Sequence, residues 1–204
     1  MKLQTTESTQ GEGGSLSVAG SFHCVITEVL EGLTKKGKAI DGITVTFEVL
    51  DGTVQGCAGK SHTESFFLPT GQDNEKNSAM KLRKLTAMAI AGGVMLPQQL
   101  GQEIDIPFAE MADRQIVVKF DHQMEKDGNG EYTIPSKYIQ VSYSDLYHVD
   151  DPAVEAVPKN ADALSLIPQE LRHDAEWFAW KKPRNGQPAK RETVAAGSVD
   201  DLFA

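Results

Sequence analysis

The amino-acid sequence predicts a mainly β protein in which five strands enclose one inserted helix. Most of the chain consists of short runs rich in β-branched and aromatic residues, separated by turn residues. One run alternates apolar and polar residues, which is typical of a half-buried strand, and one stretch repeats its apolar residues at helical spacing. The 204 residues suffice for one ordinary domain, and a hydrophobic content of 40% excludes a fully disordered chain.

The first three predicted strands cover residues 21–30, 43–50 and 61–68. A lysine-rich turn at residues 35–38 separates the first two, and Asp51-Gly52 ends the second. Alternation with a period of two places one set of apolar side chains on a single face of the second strand: Ile43, Val45, Phe47 and Val49. We therefore expect this strand to bury that face in the core.

A single helix is predicted over residues 77–91. Asn77 or Ser78 can cap its N-terminus, because their side chains accept hydrogen bonds from the first backbone amides, and Gly92-Gly93 ends the helix. Its apolar residues recur at helical spacing at Met80, Leu82, Leu85, Met88 and Ala89.

Two further strands are predicted over residues 115–121 and 132–143, joined by a hairpin loop at residues 127–130. This strand count and helix position are those of the oligonucleotide/oligosaccharide-binding (OB) barrel, a small and partly open Greek-key barrel. We therefore expect a five-stranded OB-like barrel with one inserted helix over residues 20–148.

Two segments of different composition flank this body. Residues 1–19 are rich in small and polar residues and predict a flexible arm, while residues 149–204 carry several prolines and predict a mostly disordered tail. Within the tail, residues 169–182 contain neither Pro nor Gly, so they can form a short helix that docks on the body or on a partner. The large aromatic residues of this stretch are Trp177, Phe178 and Trp180.

Catalytic and cofactor signatures are incomplete in this sequence. Gly59-Lys60-Ser61 matches the end of a phosphate-binding loop, but Val54 stands where that loop requires a glycine and the following residues predict a strand. Four residues with zinc-binding side chains lack the close spacing of structural zinc sites: His23, Cys24, Cys57 and His62. We expect a protein without enzymatic activity, bound metal or cofactor.

The same residues indicate where the protein works. No run of about 18 apolar residues is present, and the N-terminus lacks the apolar stretch of a secretory signal. The two cysteines are too far apart for a Cys-x-x-Cys pair. We expect a reduced, cytoplasmic protein without a membrane partner, and the sequence leaves open whether it forms a homo-oligomer.

The remaining candidate for function is a binding surface. Single-stranded nucleic acid is bound by positive side chains that follow the backbone and by aromatic faces on which bases stack. The candidate phosphate ligands are Lys35, Lys36, Lys38, Lys60 and Lys137, and the candidate stacking residues are Phe66, Phe67 and Tyr138. The alternative interpretation is that these aromatic residues belong to the core and that the lysines lie in solvated turns.

A resemblance supports the binding interpretation. The runs at residues 20–28, 35–38 and 43–52 resemble the opening of a phage and prophage family of small single-stranded-DNA-binding proteins, and the similarity extends loosely to Tyr143. The resemblance implies an OB-like barrel that coats single-stranded DNA in phage replication, recombination or repair, within a bacterial host cell. The lysines and aromatic residues named above are the DNA-binding candidates under it.

The C-terminus carries a second resemblance. Residues 198–204 are similar to the acidic, aromatic-ended tip through which bacterial single-stranded-DNA-binding proteins recruit partner enzymes. Carboxylates beside apolar side chains can bind a hydrophobic pocket with a basic rim. The implied ligands of a replication or recombination partner are Asp200, Asp201, Leu202 and Phe203.

Charge keeps two alternatives open. The net charge is −9, of which residues 1–148 carry −6, whereas nucleic-acid-binding proteins usually show a basic excess. One alternative is a protein-interaction module, such as an anti-defence or recombination accessory factor without direct DNA binding, with Trp177, Phe178 and Trp180 as anchors. The other is a small DNA-processing enzyme.

Overall fold

Five antiparallel strands form one sheet in the order β3-β2-β1-β4-β5. The computed structural model describes residues 14–179, except for the side chains of residues 143 and 144. The strands are β1 (Gly20–Leu33), β2 (Ala39–Gly52), β3 (Ser61–Phe67), β4 (Gln115–Lys126) and β5 (Tyr132–His148). The mainly β class and the five strands are thereby confirmed, although most strands extend beyond their predicted ends.

The sheet curls strongly around a core of aromatic rings. Phe47 on β2 lies 6.0 Å from Phe120 on β4, and His62 on β3 lies 4.8 Å from the same ring, measured between ring centroids. In a flat sheet β3 and β4 would be about 14 Å apart, since neighbouring strands are spaced by about 4.8 Å. The curl therefore brings opposite sides of the sheet into direct contact, with Phe22 and Phe66 also buried between them.

The predicted barrel is not closed by backbone pairing, because β3 and β5 remain the two edges of the sheet. The carboxylate of Glu64 on β3 bridges them instead: its Oε2 accepts a hydrogen bond from the Val141 backbone amide on β5 (3.3 Å). Lys84 Nζ donates to Oε1 (2.7 Å), and His62 Nε2 lies 3.0 Å from Oε2. Burial acts to raise the pKa of Glu64, but the hydrogen bonds from His62 and Lys84 hold it below its ordinary value.

Helix α1 (Glu75–Ala91) contacts both β3 and β5 and supplies Lys84 to this bridge. Its cap is Asn74, whose side chain accepts from the Asn77 amide (2.8 Å), so the predicted cap at Asn77 or Ser78 is wrong by one turn. The helix therefore begins before the residues whose spacing predicted it. Of the predicted apolar residues, the structure buries Leu85, Met88 and Ala89 and leaves Met80 and Leu82 exposed.

Residues 149–179, the first part of the predicted disordered tail, pack against the body. We call them the covering segment; they form α2 (Ala161–Ser165) and three short 3-10 turns. Their backbone binds side chains on the outer face of the sheet: the Asn160 amide donates to His23 Nδ1 (3.1 Å), and Gln115 Nε2 donates to the Ala163 carbonyl (2.7 Å). These partners are far apart in the sequence, so composition alone does not reveal the contact.

An ion pair and an aromatic group hold the end of the covering segment. Arg172 binds both carboxylate oxygens of Asp150, and the His173 and Trp177 rings stack at 4.1 Å. His148 Nε2 donates to the Leu171 carbonyl (3.0 Å), while its Nδ1 accepts from the Asp150 amide. Burial, together with the nearby His173, lowers the pKa of His148 to about 4, so the folded protein holds this imidazole neutral.

Residues 14–19, the end of the predicted flexible arm, also contact the body. Ser15 forms an isolated parallel bridge with Ser61, and Leu16 is buried in the core. The first 13 residues and residues 180–204 lie outside the described part of the chain.

Replacing Glu64 tests the bridge between the two sheet edges. We expect Glu64→Gln to lower the free energy of unfolding by about 2 kcal/mol at neutral pH, because the Lys84 ammonium loses its anionic partner. Since the folded-state pKa of Glu64 is depressed, this stabilisation is complete at neutral pH and disappears as the pH falls below about 4.5. Urea unfolding measures both effects, with Glu125→Gln on exposed β4 as the control; equal losses in the two variants would contradict the bridge.

The neutral state of His148 makes stability depend on pH in a different range. The unfolded chain binds a proton at this side chain below about pH 6.5 and the folded chain only near pH 4, so stability falls as the pH drops through that interval. We expect a contribution of about 2 kcal/mol between pH 7.5 and pH 5. In urea unfolding, His148→Gln should flatten this dependence and His122→Gln should not; an unchanged pH profile in His148→Gln would refute the assignment.

Candidate nucleic-acid interface

The outer parts of β4 and β5 project from the sheet as a two-stranded ribbon. The pairing of β4 with β1 ends at Phe120, which lies opposite Gly20, whereas its pairing with β5 continues to Lys126 and Tyr132. We call residues 121–138 the ribbon. The predicted hairpin loop closes it: the Asp127 carboxylate accepts hydrogen bonds from the backbone amides of Asn129 and Glu131. The hydrogen bonds from Glu131 and Asn129 lower the pKa of Asp127.

Two lysine–tyrosine pairs lie on the ribbon. Lys137 Nζ is 5.1 Å from the centre of the Tyr138 ring, as the sequence predicts for an exposed aromatic residue beside a cation. Lys126 Nζ is 5.2 Å from the Tyr132 ring, a pair that the sequence analysis missed. The exposed fractions are 59% for Tyr138 and 65% for Tyr132, so both rings have free faces. Such exposed rings beside positive charges suit the stacking of nucleic-acid bases.

The sequence signal for the second pair was present but weak. Tyr132 and Lys126 flank the hairpin loop, and they become cross-strand partners only when the register of β4 and β5 is known. The bases of a bound strand would also meet apolar side chains there, since Ile134 and Met124 are exposed on the same ribbon.

The two adjacent phenylalanines of β3 have opposite environments. Phe66 is 1% exposed and packs in the core, where its ring lies 6.5 Å from that of Phe47. It is therefore corrected from a stacking candidate to a core residue, because alternation along the strand turns only one of the two residues outward. Phe67 is 46% exposed and stays a candidate.

The predicted lysines fall into two groups at opposite ends of the sheet. Lys35, Lys36 and Lys38 lie in the turn between β1 and β2, near Phe67, which pairs with Gly42. Lys60 adjoins the other end of β2, because its carbonyl accepts from the Val49 amide (2.9 Å). Residues 39–49 of β2 separate the groups by about 30 Å.

Lys60 and the ribbon lie at the same end of the sheet. The register places Gly52 opposite Phe22 and Phe120 opposite Gly20, so the C-terminal end of β2 and the root of the ribbon are close. The structure thus brings Lys60 toward Lys137 and Tyr138, and it separates these three from the β1–β2 turn.

A row of hydroxyl groups connects the two ends across the outer face of β2 and β3. Thr44 Oγ1 lies 3.0 Å from Ser65 Oγ, and Thr46 Oγ1 lies 3.1 Å from Thr63 Oγ1. Phe67 continues the β3 side of this row, since residues two apart share a strand face. The face is uncharged along these pairs, although Glu28 accepts a hydrogen bond from Thr46 Oγ1 (3.3 Å).

The other half of the outer face is occupied. The covering segment binds His23 on β1 and Gln115 on β4, and Val117 is fully buried although it points away from the core residues Ile116 and Val118. A long ligand on the outer face therefore has access to β2, β3 and the ribbon.

Other predicted site residues lie elsewhere. The tip residues Asp200, Asp201, Leu202 and Phe203 are outside the described residues, as is Trp180. Within residues 14–179, no group of three or more His, Cys, Asp or Glu side chains could hold a metal ion. No helix in that range is long and apolar enough to cross a membrane.

Comparisons with known proteins add no relative. The chain matches no protein-family model, and no curated protein matches it significantly.

Proposed function

We propose that this protein binds single-stranded DNA without catalysing a reaction, and that the ribbon is its main contact. The observation that carries the proposal is the presence of two exposed tyrosines, Tyr132 and Tyr138, each beside a lysine. Stacking of one base on an aromatic side chain contributes about 1–3 kcal/mol and is tolerant of sequence. Two such rings supply binding energy where the chain lacks a basic excess.

The arrangement of the sheet supports an OB-like interpretation. Three strands, a helix and two strands follow one another along the chain, and the curled sheet is open at one seam. OB folds are partly open barrels that bind oligonucleotides on the face of their second and third strands and through the loops β1–β2 and β4–β5. In this chain those elements are the hydroxyl row, the lysine turn and the ribbon.

These elements define a path for the strand. A single strand would extend from Lys35, Lys36 and Lys38, past Phe67 and the hydroxyl row, to Lys60 and the ribbon. Hydroxyl groups bind phosphate and sugar without reading the sequence. The path therefore favours binding that depends little on base identity.

The acidic charge of the protein favours a single strand over a duplex. The ribbon itself carries four carboxylates, at Asp121, Glu125, Asp127 and Glu131. A duplex presents phosphates from both strands but hides its base faces, so it would meet this repulsion without the gain from stacking. Affinity should be modest and should fall strongly with added salt.

Two further parts of the proposal come from the sequence resemblances. We propose that the protein acts in the replication, recombination or repair of phage or prophage DNA in the bacterial cytoplasm. Its C-terminal tip, Asp200 to Phe203, would recruit partner enzymes to the coated strand.

The competing interpretation as a protein-interaction module loses two of its three anchors. Trp177 stacks on His173, and Phe178 is buried within the covering segment, so these side chains serve the fold. Binding a partner through them would require the segment to leave the sheet.

Replacing the two ribbon tyrosines tests the proposed contact. We expect the double variant Tyr132→Ala, Tyr138→Ala to weaken binding of a fluorescently labelled oligothymidylate at least tenfold in an anisotropy titration, because two stacking faces are lost. Leu166→Ala, which truncates an exposed apolar residue of the covering segment, is the control and should bind normally. Unchanged affinity in the tyrosine variant would remove the ribbon from the interface.

A salt series with the unaltered protein tests the function as a whole. We expect binding to the single strand to weaken steeply between about 50 mM and 200 mM salt, and the matching duplex to bind more weakly at every salt concentration. Failure to bind either nucleic acid at low salt would refute the proposal, and equal affinity for both would refute the preference for single strands.

A further inference from the structure

A deep apolar groove lies away from the ribbon, between α1, the base of the β1–β2 hairpin and the loop that follows α1. The cavity has a volume of about 800 Å³. Leu82 on α1 and Leu68 after β3 stand at the groove and are 46% and 47% exposed. Deeper apolar lining comes from Ile43, Leu85, Met95, Ile104 and Phe108. This groove explains why Leu82 has helical spacing without being buried.

The groove carries an acidic rim. Glu31 and Asp41 contribute carboxylates from the β1–β2 hairpin, and Glu103 and Asp105 contribute them from the loop. Arg83 adds one positive charge. An apolar group accompanied by several cations therefore fits this groove better than an acidic or neutral segment does.

The described part of the chain ends beside the same group of side chains. Trp177 packs against the cluster of Ala89, Ile90 and Met95, together with Ile104 and other residues of the loop. Met95 and the loop residue Ile104 also line the groove, and the described chain stops at Ala179, two residues after Trp177. The next residues therefore begin close to the groove.

The sequence that follows has the required chemistry. Residues 180–184 read Trp-Lys-Lys-Pro-Arg, which combines two apolar side chains with three positive charges. Five extended residues span up to about 17 Å, enough to cross the neighbouring loop.

We propose that residues 180–184 dock in this groove of their own chain, with Trp180 inserted among the apolar side chains and the three cations against the acidic rim. The docking does not depend on DNA binding. It would fasten the covering segment at its far end, and it would neutralise Lys181, Lys182 and Arg184 when they are bound there.

Tryptophan fluorescence of the full chain tests the docking. The sequence has two tryptophans, so Trp177→Phe leaves Trp180 as the only reporter and retains an aromatic ring beside His173. We expect blue-shifted emission and weak quenching by acrylamide relative to the urea-unfolded chain. Emission and quenching equal to those of the unfolded chain would overturn the proposal.

A second substitution locates the reporter. Adding Leu82→Glu, which places a carboxylate at the groove, should increase acrylamide quenching of Trp180 severalfold. The matched control is Met80→Glu, an exposed apolar position on the same helix that does not line the groove, and it should leave quenching unchanged. Insensitivity of Trp180 to Leu82→Glu would overturn the proposal.

Two further measurements separate misfolding and exchange between copies from loss of docking. In Trp180→Phe, the remaining Trp177 should keep its emission when Leu82→Glu is added; a change there would mean that the covering segment itself is disturbed, and the groove assignment would fail. Protection of Trp180 should persist on dilution, because the segment and the groove belong to one chain. Loss of protection on dilution would assign the groove to a second copy and overturn docking within the chain.

Discussion

The carboxylate of Glu64 connects three parts of the molecule that the backbone leaves unpaired. It joins the two free edges of the curled sheet through the Val141 amide, and it attaches α1 to that seam through Lys84. An unpaired sheet edge exposes backbone donors and acceptors, and a charged side chain that points into it both satisfies a donor and blocks pairing with another chain. Because Val141 follows the root of the ribbon closely, this bridge also fixes where Tyr138 and its neighbours leave the sheet.

The covering segment determines which surface is left for a ligand. Backbone groups of residues 160 and 163 bind His23 and Gln115, so one half of the outer face is closed by the chain itself. The neutral state of His23 and His148 is part of this closure, since burial lowers the pKa of both imidazoles. What stays accessible is the hydroxyl row of β2 and β3 with the ribbon at its end. The proposed path for single-stranded DNA is therefore a consequence of packing as well as of residue type.

Local patterns in the sequence predicted the strands, because alternation such as that of residues 43–49 reflects contact with a core. They also predicted the hairpin loop and the Lys137–Tyr138 pair, whose members are neighbours in the chain. They could not predict the seam, in which Glu64 meets Val141, nor the docking of residues 149–179, because both depend on contacts between distant residues. Phe66 and Phe67 show the same limit: alternation states that one faces outward, and only the register of β3 states which one. The Lys126–Tyr132 pair likewise required the register of β4 and β5.

The most direct test of the account is a chemical-shift titration of the ¹⁵N-labelled protein with an oligothymidylate. The account predicts that the largest changes in backbone amide shifts occur in the ribbon, residues 121–138, with smaller changes along β2, β3 and the β1–β2 turn. Amides of the covering segment that bind His23 and Gln115 should change little. Shifts concentrated in the covering segment, or an unperturbed ribbon at saturating oligonucleotide, would contradict it.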